Sequence, residues 1–134
     1  DVVFGADLIA GFPTESEAAH DATLRLIDRA GLTYLHVFPF SPRAGTPAAR
    51  MPQLDGRLIR QRADALRTHG GKRLEGFLDN VAGSHDQLLV ESGNAGHGRN
   101  FAKMRLQGEM ASPGELVDVT VLERDGQHLK VVRR

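Results

Sequence analysis

Tyr34-Leu35-His36-Val37-Phe38-Pro39-Phe40-Ser41-Pro42-Arg43-Ala44-Gly45-Thr46-Pro47-Ala48-Ala49-Arg50-Met51-Pro52 decides how this chain folds. An apolar strand, residues 32–40, runs into a loop punctuated by Pro42, Gly45, Thr46 and Pro47. Two phenylalanine rings and Arg43 are thereby set at the strand's carboxyl end, where parallel α/β folds keep their ligands. Upstream, residues 2–12 are nearly continuous apolar, interrupted by Gly5 and Asp7. Such a run suits a strand covered on both faces. Between the two strands, Thr14 and Glu17 form an S/T-x-x-E capping box that starts a helix. Ala19, Thr23, Leu26, Ile27 and Ala30 make its apolar stripe, and Gly31 closes it. Strand, helix, strand is a βαβ unit with a right-handed crossover. Two strands do not make a stable sheet alone. Further strands are expected outside the chain, which opens at Asp1 directly into a strand and reads as the carboxyl-terminal part of a longer protein.

Met51-Pro52 marks a break. From Leu54 to about Val81 the period is helical, carried by Leu58, Ile59, Ala63 and Leu66, then by Leu74, Phe77, Leu78 and Val81. Gly70-Gly71 interrupts it, as a kink or as the meeting of two helices. After Gly83 the period switches to two. Residues 87–91, 99–106, 116–122 and 129–132 read as strands, separated by Ser92-Gly93-Asn94, Gly108, Ser112-Pro113-Gly114 and Asp125-Gly126. Short strands at this spacing predict a small barrel, closed so that no edge is left open. The expected fold class is therefore α/β plus all-β.

Seventeen basic and 17 acidic residues cancel, so a nucleic-acid surface has to come from local clustering. The sequence contains no cysteine, which excludes a disulfide scaffold and fits a cytoplasmic protein. No apolar run is long enough to span a membrane. The six histidines show no HxxxH or HxH spacing, so no metal ligands are assigned. No nucleophile or general base stands out either, and no catalytic residue is assigned.

Asp7 lies inside an apolar run, and a buried carboxylate needs a partner: a helix cap, an internal arginine or a ligand. Gly11 permits close approach of the backbone to a ligand. Glu15 suits first-turn dipole compensation equally well. Phe38 and Phe40 share a strand face, as core or as a ligand wall, and Pro39 between them turns that end of the strand into an edge or exit. Arg43 is either a fork for phosphate or carboxylate or a solvated loop residue. Gly93, Gly96 and Gly98 neither follow a parallel strand nor open a helix, so a hairpin connection is expected there rather than a phosphate cradle. In the next strand Arg99, Phe101, Lys103 and Arg105 fall on one face, with Asn100, Ala102, Met104 and Leu106 on the other. Three cations around one aromatic ring suit phosphates and a stacked base, and His97 adds to them.

Asp7-Leu8-Ile9-Ala10-Gly11-Phe12-Pro13, read with Val37-Phe38-Pro39-Phe40-Ser41-Pro42-Arg43 and Gly45-Thr46-Pro47-Ala48-Ala49, resembles the radical-SAM tRNA methylthiotransferases. The second segment resembles the threonylcarbamoyladenosine-specific type more than the types that act on isopentenyladenosine tRNA or on a ribosomal protein. By this resemblance, residues 1–52 are the carboxyl-terminal end of a radical-SAM (β/α) barrel, 53–82 a helical connector, and 83–134 a TRAM domain, a small OB-like RNA-binding β-barrel. The resemblance implies addition of a methylthio group to carbon 2 of a modified adenosine beside the anticodon. It also implies S-adenosylmethionine and two 4Fe–4S clusters in the full-length parent. All cluster ligands in the family are cysteines, so this chain is not expected to be active alone. Asp7, Gly11, Phe38, Pro39 and Phe40 are implied to line the S-adenosylmethionine site. Arg43, His97, Arg99, Phe101, Lys103 and Arg105 are implied to contact the tRNA anticodon stem-loop. A cytoplasmic monomer is expected, and no residue here specifies the sulfur donor. From a different class, the chain would be a non-catalytic RNA-binding module.

Overall fold

The apolar run near the start forms β1 (Phe4–Ala10), and the Tyr34 segment forms β2 (Leu32–Pro39), in a computed structural model that describes residues 2–134. The two strands pair in parallel, with Asp7 opposite His36 and Ile9 opposite Phe38. Between them runs α1 (Glu17–Arg29), which completes the expected βαβ unit. Its start differs from the expected capping box. Ser16 is the N-cap, its hydroxyl accepting from the Ala19 amide at 3.1 Å, while Thr14 lies outside. The buried stripe is also displaced: His20 and Ile27 face the core with Thr23 and Leu24 beside them, whereas Ala19, Leu26 and Ala30 are exposed.

A short 3-10 turn at Ala48–Arg50 leads to α2 (Gly56–Asn80), 25 residues without a break. Gly70-Gly71 therefore neither kinks it nor divides it. Gly70 is needed for packing: a Cβ there would lie 2.7 Å from Leu35 Cδ1. Smallness at this position lets the helix lie close against β2.

The chain divides into two compact units, one built on Val3–Arg73 and the other on Leu74–Arg134. In the first, Ala10, Ile27, Ala63 and Leu66 are buried, with Leu8, Leu24, Leu35 and Val37 packed on them. In the second, five strands close a barrel in the order β3-β4-β5-β7-β6. They are β3 (His85–Ser92), β4 (Ala95–His97), β5 (Lys103–Leu106), β6 (Leu116–Asp125) and β7 (His128–Arg133). Every pairing is antiparallel except β5 with β7. Alternate residues point inward, so Leu88, Val90, Met104, Val117, Val119, Val121, Leu129 and Val131 fill the barrel, and Leu78 from the end of α2 joins them.

Two strand assignments change. The three-residue β4 is too short to show a period, and it supplies the second arm of the expected hairpin, with Val90 opposite Gly96. A Cβ at Gly96 would fall on the Leu89 carbonyl, so glycine is required where the arms meet. The strand expected over residues 99–106 begins only at Lys103. Arg99 and Asn100 form a turn, closed by the Phe101 amide donating to the Gly98 carbonyl at 3.0 Å.

Candidate functional site

Two places gather most of the residues singled out by sequence, one in each unit; Asp7 and Gly11 do not line the first of them. In the first unit the loop after β2 curls beside the strand end. Phe38, Pro39, Phe40 and Arg43 line a hollow of about 450 Å³ with Ile9, Ser41, Thr46 and Ala48. The Phe40 amide donates to the Ala10 carbonyl at 2.7 Å, which extends the strand pairing by one bond past Pro39. The Phe40 ring meets Phe12 edge to face, centroids 5.5 Å apart. Thr46 ties the loop back, its hydroxyl donating to the Arg43 carbonyl at 2.8 Å. Phe38 is 52% exposed, so it is a wall of the hollow and not part of the packed core. The Arg43 side chain has no ion-pair or hydrogen-bond partner among the described residues, which leaves its guanidinium open to an anion.

Asp7 requires a correction. Its run of apolar neighbours suggests burial, yet its side chain is 75% exposed and sits 3.1 Å from His36 Nδ1. Leu8, Ala10, Leu35 and Val37 form the covered face of the strand pair; Asp7, Ile9, His36 and Phe38 stand on the other, exposed face. The partner is thus a histidine, neither a helix cap nor an arginine. Tyr34 stands in the same row, and burial pushes its phenol pKa up.

Gly11 also differs from expectation. It is buried with φ +83°, and the space before it is filled by Ile59, 2.7 Å from where a Cβ would stand. The close approach is to this side chain. Its amide donates at 3.0 Å to Glu15 Oε1. Glu15 in turn is not a surface residue serving the helix dipole: Arg62 Nη1 donates to its carboxylate at 3.0 Å and to its carbonyl at 2.7 Å. This pair is the feature that sequence reading missed, since 47 positions separate its members.

In the barrel, the expected row of cations is partly dismantled. Arg99 lies in the turn and donates from Nε to Asp86 Oδ1 at 2.9 Å. His97 Nδ1 stands 2.9 Å from Glu91 Oε1. Lys103 and Arg105 do share the outward face of β5, with Ala102, Met104 and Leu106 buried and Phe101 exposed just before the strand. Lys103 and Arg105 have no ion-pair partner among the described residues, whereas Arg124, Lys130 and Arg133 are all paired with carboxylates. Phe101 is 73% exposed and has φ +58°, the one non-glycine with positive φ among the described residues. A bulky side chain there is held at a cost of about 1–2 kcal/mol.

Among the described residues no three histidine, cysteine, aspartate or glutamate side chains come together to hold a metal. No described helix is long and apolar enough to cross a membrane.

No family model matches the chain. Curated relatives do. A protein of Rickettsia prowazekii (strain Madrid E), called threonylcarbamoyladenosine tRNA methylthiotransferase MtaB, is 46% identical over 83% of this chain and 26% of its own length. Its namesake in Aquifex aeolicus (strain VF5) is 31% identical over 87% of this chain and 28% of its own length. A tRNA-2-methylthio-N(6)-dimethylallyladenosine synthase of Magnetococcus marinus is 35% identical over 92% of this chain and 30% of its own length. The chain thus spans between about a quarter and a third of the length of these relatives.

Proposed function

Since the chain belongs to the tRNA methylthiotransferase family, we propose that it is the carboxyl-terminal part of an enzyme that methylthiolates threonylcarbamoyladenosine beside the anticodon. The observation that carries this reading is the 46% identity to a relative named for that substrate, across 83% of the chain. In this reading β1, α1 and β2 are the end of a radical-SAM barrel, and the five-stranded unit is a TRAM-like domain.

The residues present fit one end of S-adenosylmethionine. The Phe38-Pro39-Phe40 hollow offers apolar faces for a purine. Asp7 is an exposed acceptor on the adjacent strand, suited to a ribose hydroxyl. Gly11 sets the turn that follows β1. S-adenosylmethionine, when bound, supplies the radical precursor; the role of these side chains is to orient it. The residues do not fit an iron–sulfur cluster, because the chain offers no thiolate. Cluster ligands are assigned to the rest of the parent, and the chain alone is expected to be inactive.

On the tRNA side, Lys103 and Arg105 are unpaired cations beside an exposed ring, which supports phosphate contact and base stacking. Arg43 is a second free guanidinium. Arg99 and His97 already face carboxylates and contribute less. The parent acts as a cytoplasmic monomer in this reading.

The test is nucleoside mass spectrometry of tRNA from cells lacking the parent gene. Loss of the methylthio-threonylcarbamoyladenosine alone supports the reading. Loss of methylthio-isopentenyladenosine instead favours the second reading, to which the 35% identity with the Magnetococcus relative lends weight. If both nucleosides persist, a ribosomal-protein substrate or a binding-only role replaces it.

A further inference from the structure

The end of the barrel that carries the Arg99 turn opens into a hollow of about 430 Å³, to which neither S-adenosylmethionine nor the phosphate contacts lay claim. Its walls are of two kinds. Phe77, Ala102, Met104 and Val121 are among the apolar ones; Asn80, Ser84, His85, Asn100 and the Asp86–Arg99 pair form a polar side of equal extent. The volume is that of a small-molecule pocket, and half of its lining residues are polar or charged, which suits a polar heterocycle.

The charge inside decides what can enter. The Asp86 side chain is only 15% exposed, and its Oδ1 accepts both the Arg99 Nε bond and the Gln87 amide at 2.8 Å. Its Oδ2 keeps lone pairs for a donor. Paired with Arg99, this carboxylate leaves the wall without a free positive charge for a phosphate, and it still accepts from an amino group. Beside it, the Met104 thioether and the apolar walls suit the flat face of a ring. A neutral heterocycle with an exocyclic amino group meets both demands. Carboxylates read the amino group of cytosine in the same way.

The surroundings indicate how such a ring arrives. Asn100 and Arg99 at the mouth precede Phe101, whose ring is exposed, and then Lys103 and Arg105 along β5. A single strand held by its phosphates on these cations, with one base on Phe101, passes the mouth of the hollow. A larger residue at Gly98 would displace the ends of both side chains, because its Cβ would meet Met104 Cε and Asp86 Oδ2.

We infer that the Asp86–Arg99 hollow of the barrel receives one unstacked, amino-bearing base of the bound RNA, adenine or cytosine. This rests on the RNA-binding reading of β5 and adds to it a second, base-selective contact.

Met104 lines the hollow and is buried, Met110 is exposed, and Met51 belongs to the other unit, so methionine methyl groups report on it directly. The full chain, labelled at its methionine methyls, is titrated with short single-stranded adenosine, cytidine and uridine RNAs. Binding is followed in parallel by fluorescence anisotropy. The expected result is a saturable ring-current shift of the Met104 methyl with oligoadenosine and oligocytidine, with Met51 unmoved. Half-saturation with oligouridine is expected at about tenfold higher concentration, the loss of one good base contact. RNA that binds by anisotropy while Met104 stays unmoved overturns the hollow and leaves the RNA-binding reading intact. No binding of any RNA overturns both. An equal shift with oligouridine overturns the role of Asp86. An equal shift with adenosine monophosphate at the same concentration overturns RNA as the source of the base.

Discussion

Arg62 Nη1 stands 3.0 Å from Glu15 Oε1, and the two side chains are only 8% and 12% exposed. The same carboxylate oxygen accepts from the Gly11 amide, and the same guanidinium nitrogen donates to the Glu15 carbonyl. One buried pair therefore fixes the turn after β1 against α2. That turn also carries Phe12, whose ring supports Phe40 at the aromatic hollow. Removing one member leaves an uncompensated buried charge, which costs about 3–5 kcal/mol. Arg62→Met is expected to lower the unfolding free energy by about that amount in urea titrations followed by circular dichroism. Glu15→Gln in addition keeps an acceptor for Gly11 and removes the stranded charge, so the double variant should recover part of the loss. A double variant as unstable as the sum of the singles would show that the pair is not coupled.

Glu115 gives the barrel an acid-sensitive contact. Its carboxylate accepts from the Ser112 amide at 3.0 Å and from Arg133 Nη2 at 2.9 Å, and these bonds hold its pKa below the ordinary glutamate value. A depressed folded-state pKa contributes stability that is present above the unfolded value and is lost as pH falls through the folded one. The melting temperature should accordingly drop as the solution is acidified below the ordinary glutamate range. Glu115→Gln should start lower at neutral pH and decline less steeply. Parallel curves for the two proteins would remove Glu115 from the account.

Two glycines of α2 should respond in opposite directions to the same substitution. A methyl group at position 76 would have nothing within 4 Å of it, so Gly76→Ala should stabilise by about 1 kcal/mol through helix propensity alone. Gly70→Ala gains the same propensity but drives a methyl to 2.7 Å from Leu35 Cδ1. Overpacking of about 1–3 kcal/mol should outweigh the gain. Thermal melts of the two single variants decide it, and a stabilised Gly70→Ala would mean that Leu35 moves aside freely.

The βαβ unit and the small barrel are legible in the sequence because each rests on local signals: apolar runs, a change of period at Gly83, and turn residues between strands. What escapes it has particular causes. The stripe of α1 is misplaced because His20 and Leu24 turn inward while Ala19 and Leu26 face out, a choice made by what packs against the helix. Asp7 looks buried from its neighbours along the chain, but burial depends on what covers the sheet face. Glu15 and Arg62 carry no local sign of each other. Arg99 fits the alternation that Lys103 and Arg105 obey, and only the left-handed Phe101 shows that the strand has not yet begun there. Of these positions, the exposure of Phe38 and of Arg43, Lys103 and Arg105 follows from local sequence, whereas the carboxylates beside Arg99 and His97 leave no local sign.

Phe101 separates stability from binding. At φ +58° its side chain is held in the left-handed region, and asparagine tolerates that region better. Phe101→Asn is therefore expected to leave stability unchanged or raise it by up to about 1 kcal/mol. If the ring stacks a base, the same change should weaken single-stranded RNA binding by about 1–3 kcal/mol. Lys103→Ala and Arg105→Ala should each act through phosphate, reducing the slope of log affinity against log salt by about 0.7. Arg99→Ala should change that slope less, because Asp86 already compensates its charge. Anisotropy titrations at several salt concentrations measure all four variants together. A Phe101→Asn protein that melts lower and binds RNA as before would make the ring a packing residue after all. A salt slope that responds to Arg99 as strongly as to Lys103 would mean that the Asp86 pair opens when RNA arrives.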